Sequence, residues 1–399
     1  MLFINDPAEC FVPSGSEFKF NILTVMMDKQ WQIHLINSRS TSYEKLVCDY
    51  FVHTVPLIGS VNSILSRVFY LLESLFAAVN LTKKYNINII TCHAGHLTNG
   101  VVAYLASRIT RRKCLIRVNE DNVTEFRLFV EKTQNKIFGN KILIKVIMFC
   151  LIKIERNLFK HVDWIVTQGP ADYLKIRKIT NKITFLPLWV DAKNFKPLPR
   201  NQIYKLRAEV VKDANKKVIL YVGRFVPEKD IETLFRAFKI LTTFRKNVVL
   251  LMVGTGQRGQ YYRNYAKSLG INNKVRFEGF ILHEKLPPYY NLADIYVMPS
   301  FSEELSNTVL EALACGVPVI ATDISSNLYL VKDEENGFIF PVRNHIALAE
   351  KVLYVLDLCG KFPDKITKIS ANARKSIQRY TEESMGEAYK QVIIKLISH

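Results

Sequence analysis

Short apolar runs alternate with amphipathic segments through the second half of the chain, and this alternation restricts the fold more than any other feature of the sequence. Between the first two runs, segment 230–241 carries its apolar residues on one helical face. Apolar strands separated by helices indicate a parallel sheet covered on both sides, which binds ligands at the carboxyl ends of its strands. The predicted strands are 218–222, 248–253, 275–277, 295–298, 318–321 and 338–340.

The first half of the chain shows the same alternation with fewer turn signals. Apolar segments such as "INIITCHAGH", "CLIRV" and "DWIVTQ" alternate with helical patterns. A length of 399 residues is typical of two domains of about 150–200 residues each. Segment 186–217, which contains prolines and lysines, separates the halves. We predict α/β domains at residues 1–190 and 191–375, with a separate terminal helix at 376–399.

The chain carries a net charge of +19, from 55 Lys and Arg against 36 Asp and Glu. The first 199 residues hold 26 basic and 15 acidic residues, so the excess is spread over both halves. This charge indicates an anionic partner, and nucleic acid, anionic lipid and phosphorylated substrates all fit. No nucleic-acid-binding module or interleaved aromatic and basic motif is found, so the sequence disfavours a nucleic-acid partner.

Segment 132–160 is locally richer in basic residues, with seven of them and one acid, Glu155. Apolar residues surround these charges, and the longest apolar run is too short to span a bilayer, which needs about 20 residues. Two interpretations remain open. The segment is either a domain helix with solvated lysines or a helix that lies on an anionic membrane surface.

The seven cysteines are scattered and odd in number, which argues against a disulfide framework and against a zinc knuckle. The first residues do not read as a signal peptide. We therefore expect a cytoplasmic protein. His93 and His96 form an H-x-x-H pair without supporting carboxylate or cysteine spacing, so we expect no metal site.

The segment "PSFSEELSNTVLEALACGVPVIAT", residues 299–322, places Glu303 and Glu311 eight positions apart. It reads as a strand end, a loop and a helix that Ser306 or Asn307 caps and that ends at Gly316. A helix N-terminus at this edge of a parallel sheet suits a phosphate. Eight residues of helix rise about 12 Å, which is long for the acid/base pair of a hydrolase but suits a sugar–diphosphate–ribose ligand.

This spacing resembles the E-x7-E signature of the retaining, family 4-like glycosyltransferases (glycosyl transferases group 1). Further segments resemble the same family in order and spacing, and together they cover nearly all of residues 161–342. These segments are "FLPLWVDAKNFKP", "VILYVGRFVPEKDIETLFRAF", "VVLLMVGTGQ", "VRFEGF", "LPPYYNLADIYVMPS" and "NGFIFP".

The resemblance implies the GT-B fold, in which two Rossmann-like, doubly wound domains face each other across a cleft. The first domain would bind the acceptor, the second would bind the nucleotide sugar, and the terminal helix would cross back to the first. It implies a retaining hexosyltransferase that moves a sugar from a UDP- or GDP-sugar to an acceptor hydroxyl. Because the net charge and segment 132–160 suit anionic lipid, we expect a lipid-linked or surface-glycan acceptor. It also implies no cofactor and no metal, because basic side chains and a helix dipole take the place of a divalent ion.

The resemblance also assigns roles by position. Glu303 would bind hydroxyls of the donor sugar, and Arg224 and Lys229 would neutralise the diphosphate; these three form the predicted catalytic set. Glu311 would bind the ribose, although a glutamate in an apolar helix could instead pair locally. The remaining predicted donor-binding residues are Gly15, Gly223, Gly279, Phe280, Leu305, Ser306 and Asn307, with Gly279 and Phe280 at the base pocket and the last three holding the distal phosphate through N–H groups.

The first domain departs from the family pattern in two places. Only Gly15 remains of a glycine pair, and Asn119 stands where many relatives carry histidine. Asn119, Glu120 and His93 are the predicted acceptor-side residues.

Three alternatives stay open. They are a soluble transferase similar to sucrose or sugar-phosphate synthases, a polyanion-binding protein without activity, and an inactive transferase-like subunit. Because the basic charge suits anionic lipid, we expect a peripheral position at the inner face of the membrane.

Overall fold

The computed structural model describes residues 1–4, 33–37, 50–54, 64–94, 97–118, 141–213 and 215–398. The chain divides into two units, one of Met1–Pro187 with Glu383–His399 and the other of Leu188–Glu382. The sequence placed the corresponding boundaries at residues 190 and 375. Each unit contains a parallel sheet with helices, which confirms the predicted α/β class.

The first unit is built on a seven-stranded parallel sheet in the order β3-β2-β1-β4-β5-β6-β7. The strand order reverses between β1 and β4, as it does in doubly wound sheets, and ligands bind at the carboxyl edge of such a reversal. The strands are β1 (Leu2–Ile4), β2 (Ile33–Asn37), β3 (Tyr50–Thr54), β4 (Ile89–Ala94), β5 (Lys113–Val118), β6 (Trp164–Thr167) and β7 (Ile183–Phe185).

Helices cover one face of this sheet, where alternate residues of the central strands are buried. Ile90 and Cys92 of β4 and Ile116 of β5 form one apolar cluster with helical residues such as Ala103 and Leu158. Successive strand residues point to opposite faces, which explains the alternation. The helices of this unit are α1 (Ile64–Lys84), α2 (Leu97–Thr110), α3 (Lys141–His161), α4 (Pro170–Arg177) and the terminal α13 (Glu382–Ser398).

Helix α13 contacts Arg117 of β5 and Trp164 of β6. In each strand, the neighbouring residue belongs to the apolar cluster, so these two side chains point to the opposite face of the sheet. The guanidinium of Arg117 lies 5.6 Å from the ring centroid of Tyr389, and Lys395 Nζ lies 4.7 Å from the ring centroid of Trp164. Arg117 is only 2% exposed, and its Nε and Nη1 have no hydrogen-bond partner among the described residues. Burial lowers the pKa of Arg117. The sequence contained no signal for this buried arginine.

The second unit is built on a six-stranded parallel sheet in the order β10-β9-β8-β11-β12-β13. The order reverses between β8 and β11, which pair directly. The carboxyl edge at β8 and β11 is therefore the position where a doubly wound sheet binds its ligand. The strands are β8 (Lys217–Val222), β9 (Val248–Val253), β10 (Val275–Gly279), β11 (Ile295–Met298), β12 (Val319–Thr322) and β13 (Phe338–Phe340).

Helices pack on both faces of the second sheet and create two apolar cores. Alternate residues of β8 separate into them, with Leu220 in one core and Ile219 and Tyr221 in the other. The strands are thus buried on both faces, as their continuous apolar sequence predicts. The helices of this unit are α5 (Arg200–Val210), α6 (Ile231–Phe244), α7 (Gly259–Ser268), α8 (Pro287–Leu292), α9 (Asn307–Ala314), α10 (Ser325–Leu330), α11 (His345–Lys361) and α12 (Pro363–Ser376).

The element boundaries differ from the predicted ones for local reasons. Strand β12 begins one residue after the predicted start because Pro318 has no N–H for the ladder; only its carbonyl takes part, accepting from Tyr296 N–H at 2.9 Å. Helix α6 begins one residue after the predicted start because Asp230 has a left-handed backbone, with φ of 45°. It also extends three residues beyond the predicted end, to Phe244.

Candidate functional site

The loop after β11 leads into helix α9 at the carboxyl edge of the second sheet. Strand β11 ends at Met298 and α9 begins at Asn307. Ser306 precedes the helix, and its Oγ accepts a hydrogen bond from Val309 N–H at 3.3 Å. The sequence left two residues open as the helix cap, and the structure assigns that role to Ser306.

The start of α9 offers backbone donors. Within the described residues, the N–H groups of Leu305, Ser306 and Asn307 donate no hydrogen bond. The Oδ1 atom of Asn307 is buried and also has no partner in the described part of the chain. Unpaired N–H groups at the positive end of a helix form an arrangement that accepts a phosphate.

Lys229 and Glu303, two of the predicted catalytic residues, form an ion pair. Lys229 ends a short 3₁₀ turn, Pro227–Lys229, that follows β8, whereas Glu303 lies in the loop after β11. Their side chains are only 14% and 12% exposed. The backbone also joins the two loops, because Phe301 N–H donates to the carbonyl of Glu228 at 3.1 Å.

Glu311 is buried and accepts two hydrogen bonds from side chains outside its helix. Tyr290 Oη donates to its Oε2 at 2.6 Å, and His283 Nε2 lies 3.0 Å from its Oε1. Because a carboxylate only accepts, Nε2 carries the proton of the imidazole in this contact. The local pairing that the sequence left open for Glu311 is therefore present.

Nearby acids alter the titration of His283. Burial alone would lower its pKa, but the hydrogen bond to Glu311 and the negative charges of Glu311, Asp191 and Glu284 outweigh burial and raise the pKa above its usual value. Sequence reasoning missed both His283 and Tyr290. The available signal was weak, since no spacing pattern links either residue to Glu311.

Two other predicted donor residues present side chains to solvent at the same edge. Arg224 follows β8 and is exposed, and its guanidinium has no hydrogen bond or ion pair within the described residues. Phe280 follows β10 and is 63% exposed, next to Gly279, which has φ of 78°. An exposed aromatic ring and an uncompensated cation at one sheet edge suit a base and a phosphate.

Glycines bring the ends of β8, β9 and β10 into close contact. Gly254 N–H donates to the carbonyl of Gly279 at 2.7 Å. A Cβ atom on Gly254 would lie 2.0 Å from the carbonyl oxygen of Gly223, and Gly254 has φ of 130°. The "GTG" segment, residues 254–256, therefore allows a close backbone approach to the predicted site residue Gly223.

Most of the predicted first-unit residues fall outside the described part of the chain. Gly15, Asn119 and Glu120 lie there, so their predicted roles stay predictions. His93 is the penultimate residue of β4, and its backbone pairs in register with Arg117 of β5. The structure thus places this backbone position near the carboxyl edge of the first sheet.

Histidine, cysteine and acidic side chains do not cluster into a metal-binding group anywhere in the described ranges. The five cysteines of those ranges are free: Cys92, Cys114, Cys150, Cys315 and Cys359.

The glycine contacts generate a stability prediction. Replacement of Gly254 by alanine forces the backbone of either Gly254 or Gly223 to move, and we expect it to lower the free energy of unfolding by more than about 2 kcal/mol. Urea denaturation followed by circular dichroism measures this change.

Gly360 provides the matched control because nothing lies within 4 Å of a Cβ placed there, in helix α11. Gly360→Ala should raise the free energy of unfolding by about 0.5–1 kcal/mol, as alanine favours a helix over glycine. Equal effects of the two substitutions would contradict the close contact.

Comparison with known proteins gives consistent similarities to glycosyltransferases. The family described as glycosyl transferases group 1 matches residues 202–376. An uncharacterized glycosyltransferase of Methanocaldococcus jannaschii is 34% identical over 43% of this chain and 43% of its own length, so the chain matches less than half of that relative. The capsular polysaccharide biosynthesis glycosyltransferase CapM of Staphylococcus aureus is 26% identical over 81% of this chain and 80% of its own length.

Solved structures extend the comparison to the whole fold. Sucrose-phosphate synthase from Thermosynechococcus elongatus superimposes with a TM-score of 0.78 at 20% identity, covering 100% of this chain and 99% of its own. Anabaena HepE in complex with UDP gives a TM-score of 0.75 at 17% identity and covers 99% of both chains. Residues 202–376 therefore match the glycosyl transferases group 1 family, and the chain has the GT-B fold of these solved structures.

Proposed function

We propose that this chain is a retaining hexosyltransferase that moves a sugar from a nucleotide-sugar donor to a glycan acceptor. The observation that carries the proposal is the arrangement at the carboxyl edge of the second sheet. There, the Lys229–Glu303 pair and the unpaired N–H groups at the start of α9 follow the two strands where the sheet order reverses.

The donor diphosphate would bind the positive groups of this edge. The N–H groups of Ser306 and Asn307 and the side chains of Arg224 and Lys229 would bind its oxygens and stabilise the charge that develops as the nucleoside diphosphate leaves. An ammonium has three donors, so Lys229 can contact a phosphate and keep Glu303. We propose no resident metal or cofactor, because these groups already supply positive charge to the phosphates.

The remaining donor contacts follow from the positions of the side chains. Glu303, held by Lys229, would accept hydrogen bonds from hydroxyls of the transferred sugar. Glu311 would accept them from the ribose, and the exposed ring of Phe280 would contact the base. No protein nucleophile is assigned.

Turnover of a donor tests the proposal. The purified protein would be assayed for release of free nucleotide from a panel of UDP-, GDP- and ADP-sugars. We expect one donor to turn over, and we expect Glu303→Gln to lower turnover at least about 100-fold, because the amide cannot replace the charged acceptor.

Glu335→Gln is the control for charge, because Glu335 is an exposed acid of the same unit. It should retain wild-type turnover. Failure of every donor to turn over or bind would contradict the proposed activity.

For the acceptor, we propose a lipid-linked or surface glycan, and we propose that the protein lies at the inner membrane face. The name of the relative CapM supports the glycan. Helix α3 supports the membrane surface, since Val146, Phe149 and Ile152 are 52%, 57% and 43% exposed. Lys153 Nζ lies 4.5 Å from the ring centroid of Phe149, so positive charge accompanies the apolar side chains.

Helix α1 adds a second exposed apolar stripe in the same unit. Phe69, Leu72 and Phe76 are 47%, 59% and 66% exposed and recur three or four residues apart. Within the described ranges, no helix combines the length and apolar character needed to cross a bilayer. We therefore propose contact with the membrane surface. Residues 132–140 of the predicted basic segment lie outside the described residues.

Binding to lipid vesicles tests the membrane proposal. We expect the wild-type protein to sediment with phosphatidylcholine vesicles that contain about 30% phosphatidylglycerol, and to do so less as salt rises. Phe149→Ser should reduce the bound fraction several-fold. Leu174→Ser is the control, because Leu174 is 64% exposed on α4 of the same unit.

An absence of vesicle binding would contradict the membrane proposal. It would favour the alternative of a soluble transferase that resembles sugar-phosphate or sucrose synthases and uses its positive charge for a phosphorylated acceptor.

A further inference from the structure

His283 contacts Glu311, the residue predicted to bind the ribose. It begins the 3₁₀ turn His283–Lys285, three residues after Phe280. Its Nε2 lies 3.0 Å from Glu311 Oε1, and its ring centroid lies 5.0 Å from that of Phe195. The His283 side chain is 37% exposed, whereas that of Glu311 is 5% exposed.

The two oxygens of Glu311 are held from different elements. His283 donates to Oε1 from the turn after β10, and Tyr290 donates to Oε2 at 2.6 Å from helix α8. Tyr290 is fully buried and is itself packed against Phe195, at 5.9 Å between ring centroids. With one donor on each oxygen, the carboxylate cannot rotate without breaking a hydrogen bond. A carboxylate has about four acceptor positions, so two remain.

We propose that His283 is a positioning residue for the nucleoside, because it fixes the Glu311 carboxylate so that the remaining lone pairs accept the 2′- and 3′-hydroxyls of the donor ribose. This inference rests on the proposed function, since it assigns Glu311 to the donor. His283 acts through Glu311 and takes no part in bond making. A carboxylate whose plane is fixed presents its lone pairs in the directions that two vicinal hydroxyls need. Tyr290 alone holds one oxygen, so the second donor, His283, is needed to fix the plane.

The charge of His283 gives this arrangement a pH dependence. The negative charges of Glu311, Asp191 and Glu284 act on His283, and Tyr290 bonds to the same carboxylate of Glu311. Their net effect raises the pKa of His283 above 6.5, against the effect of burial. The imidazolium therefore stabilises the folded unit below pH 6.5, and this contribution is lost as pH rises through the raised pKa.

The neutral imidazole still donates through Nε2–H, but without charge assistance the hydrogen bond is weaker. Affinity for the nucleoside diphosphate should therefore fall over the same pH range in wild type. A glutamine at position 283 would donate an N–H without titrating.

A ligand-by-variant cycle tests the inference. Dissociation constants would be measured by calorimetry for the tightest binder among UDP, GDP and ADP and for its 2′,3′-dideoxy analogue. We expect His283→Ala to weaken the ribonucleotide about tenfold and the dideoxy nucleotide less than about twofold. We expect His283→Gln to restore affinity to within about threefold of wild type. The ratio of wild-type to His283→Gln affinity should fall as pH rises from 6.5 through the raised pKa of His283.

Lys285→Ala is the control for the turn itself, because Lys285 is exposed in the same 3₁₀ turn. It should bind both nucleotides like wild type. If His283→Ala is unfolded by circular dichroism, the glutamine variant and its pH profile still test the inference.

Equal losses for the two nucleotides in His283→Ala would overturn the inference, because the effect would not pass through the ribose hydroxyls. Unchanged affinity in that variant, or a pH profile of the glutamine variant that matches wild type, would overturn it as well. These results leave the proposed function intact. If the wild-type protein binds none of the three nucleoside diphosphates, the proposed function itself fails, and the inference fails with it.

Discussion

The ion pair between Lys229 and Glu303 holds together the two loops on which the candidate site depends. Those loops follow β8 and β11, the neighbouring strands at which the order of the second sheet reverses. At such a reversal, adjacent loops diverge and leave a crevice. Burial of a charged side chain destabilises the folded state unless an opposite charge compensates it. Lys229 and Glu303 therefore each stabilise the buried position of the other. Under the proposed function, the same two groups would contact the diphosphate and the transferred sugar.

The surrounding backbone is arranged so that this edge stays accessible to a ligand. Gly223 and Gly254 allow the loops after β8 and β9 to approach more closely than any side chain permits. Ser306 caps α9 with its side chain and leaves backbone N–H groups at the helix start without partners among the described residues. Donor groups and positive charge therefore collect at one edge, while both faces of the sheet are buried under helices. Phosphate binding requires this combination of open backbone donors and a rigid support.

The sequence predicted the second unit well, because there the local patterns and the packing agree. Uninterrupted apolar strands such as 248–253 must be buried on both faces, and a serine before an apolar helix is a standard cap. The resemblance named Lys229 and Glu303 as separate site residues, but their pairing was not predicted, since no local pattern joins residues 74 positions apart.

Other parts of the site could not be predicted for physical reasons. His283 and Tyr290 reach Glu311 only through the packing of β10, α8 and α9, and a single sequence does not encode which polar residues meet across helices. Arg117 likewise reads as one residue of a strand, and its burial beside Tyr389 depends on the terminal helix. In the first unit, the predicted residues Gly15, Asn119 and Glu120 lie outside the described part of the chain, so the acceptor side rests on resemblance.

The most direct test of the account is a crystal structure of the protein with the nucleoside diphosphate that it binds most tightly. We predict phosphate oxygens at about 3 Å from Lys229 Nζ and from the N–H groups of Ser306 and Asn307. We also predict both ribose hydroxyls on Glu311, with His283 and Tyr290 still bonded to that carboxylate. A diphosphate bound away from the start of α9, or a ribose that does not contact Glu311, would contradict the assignment of the donor site to this edge of the second sheet.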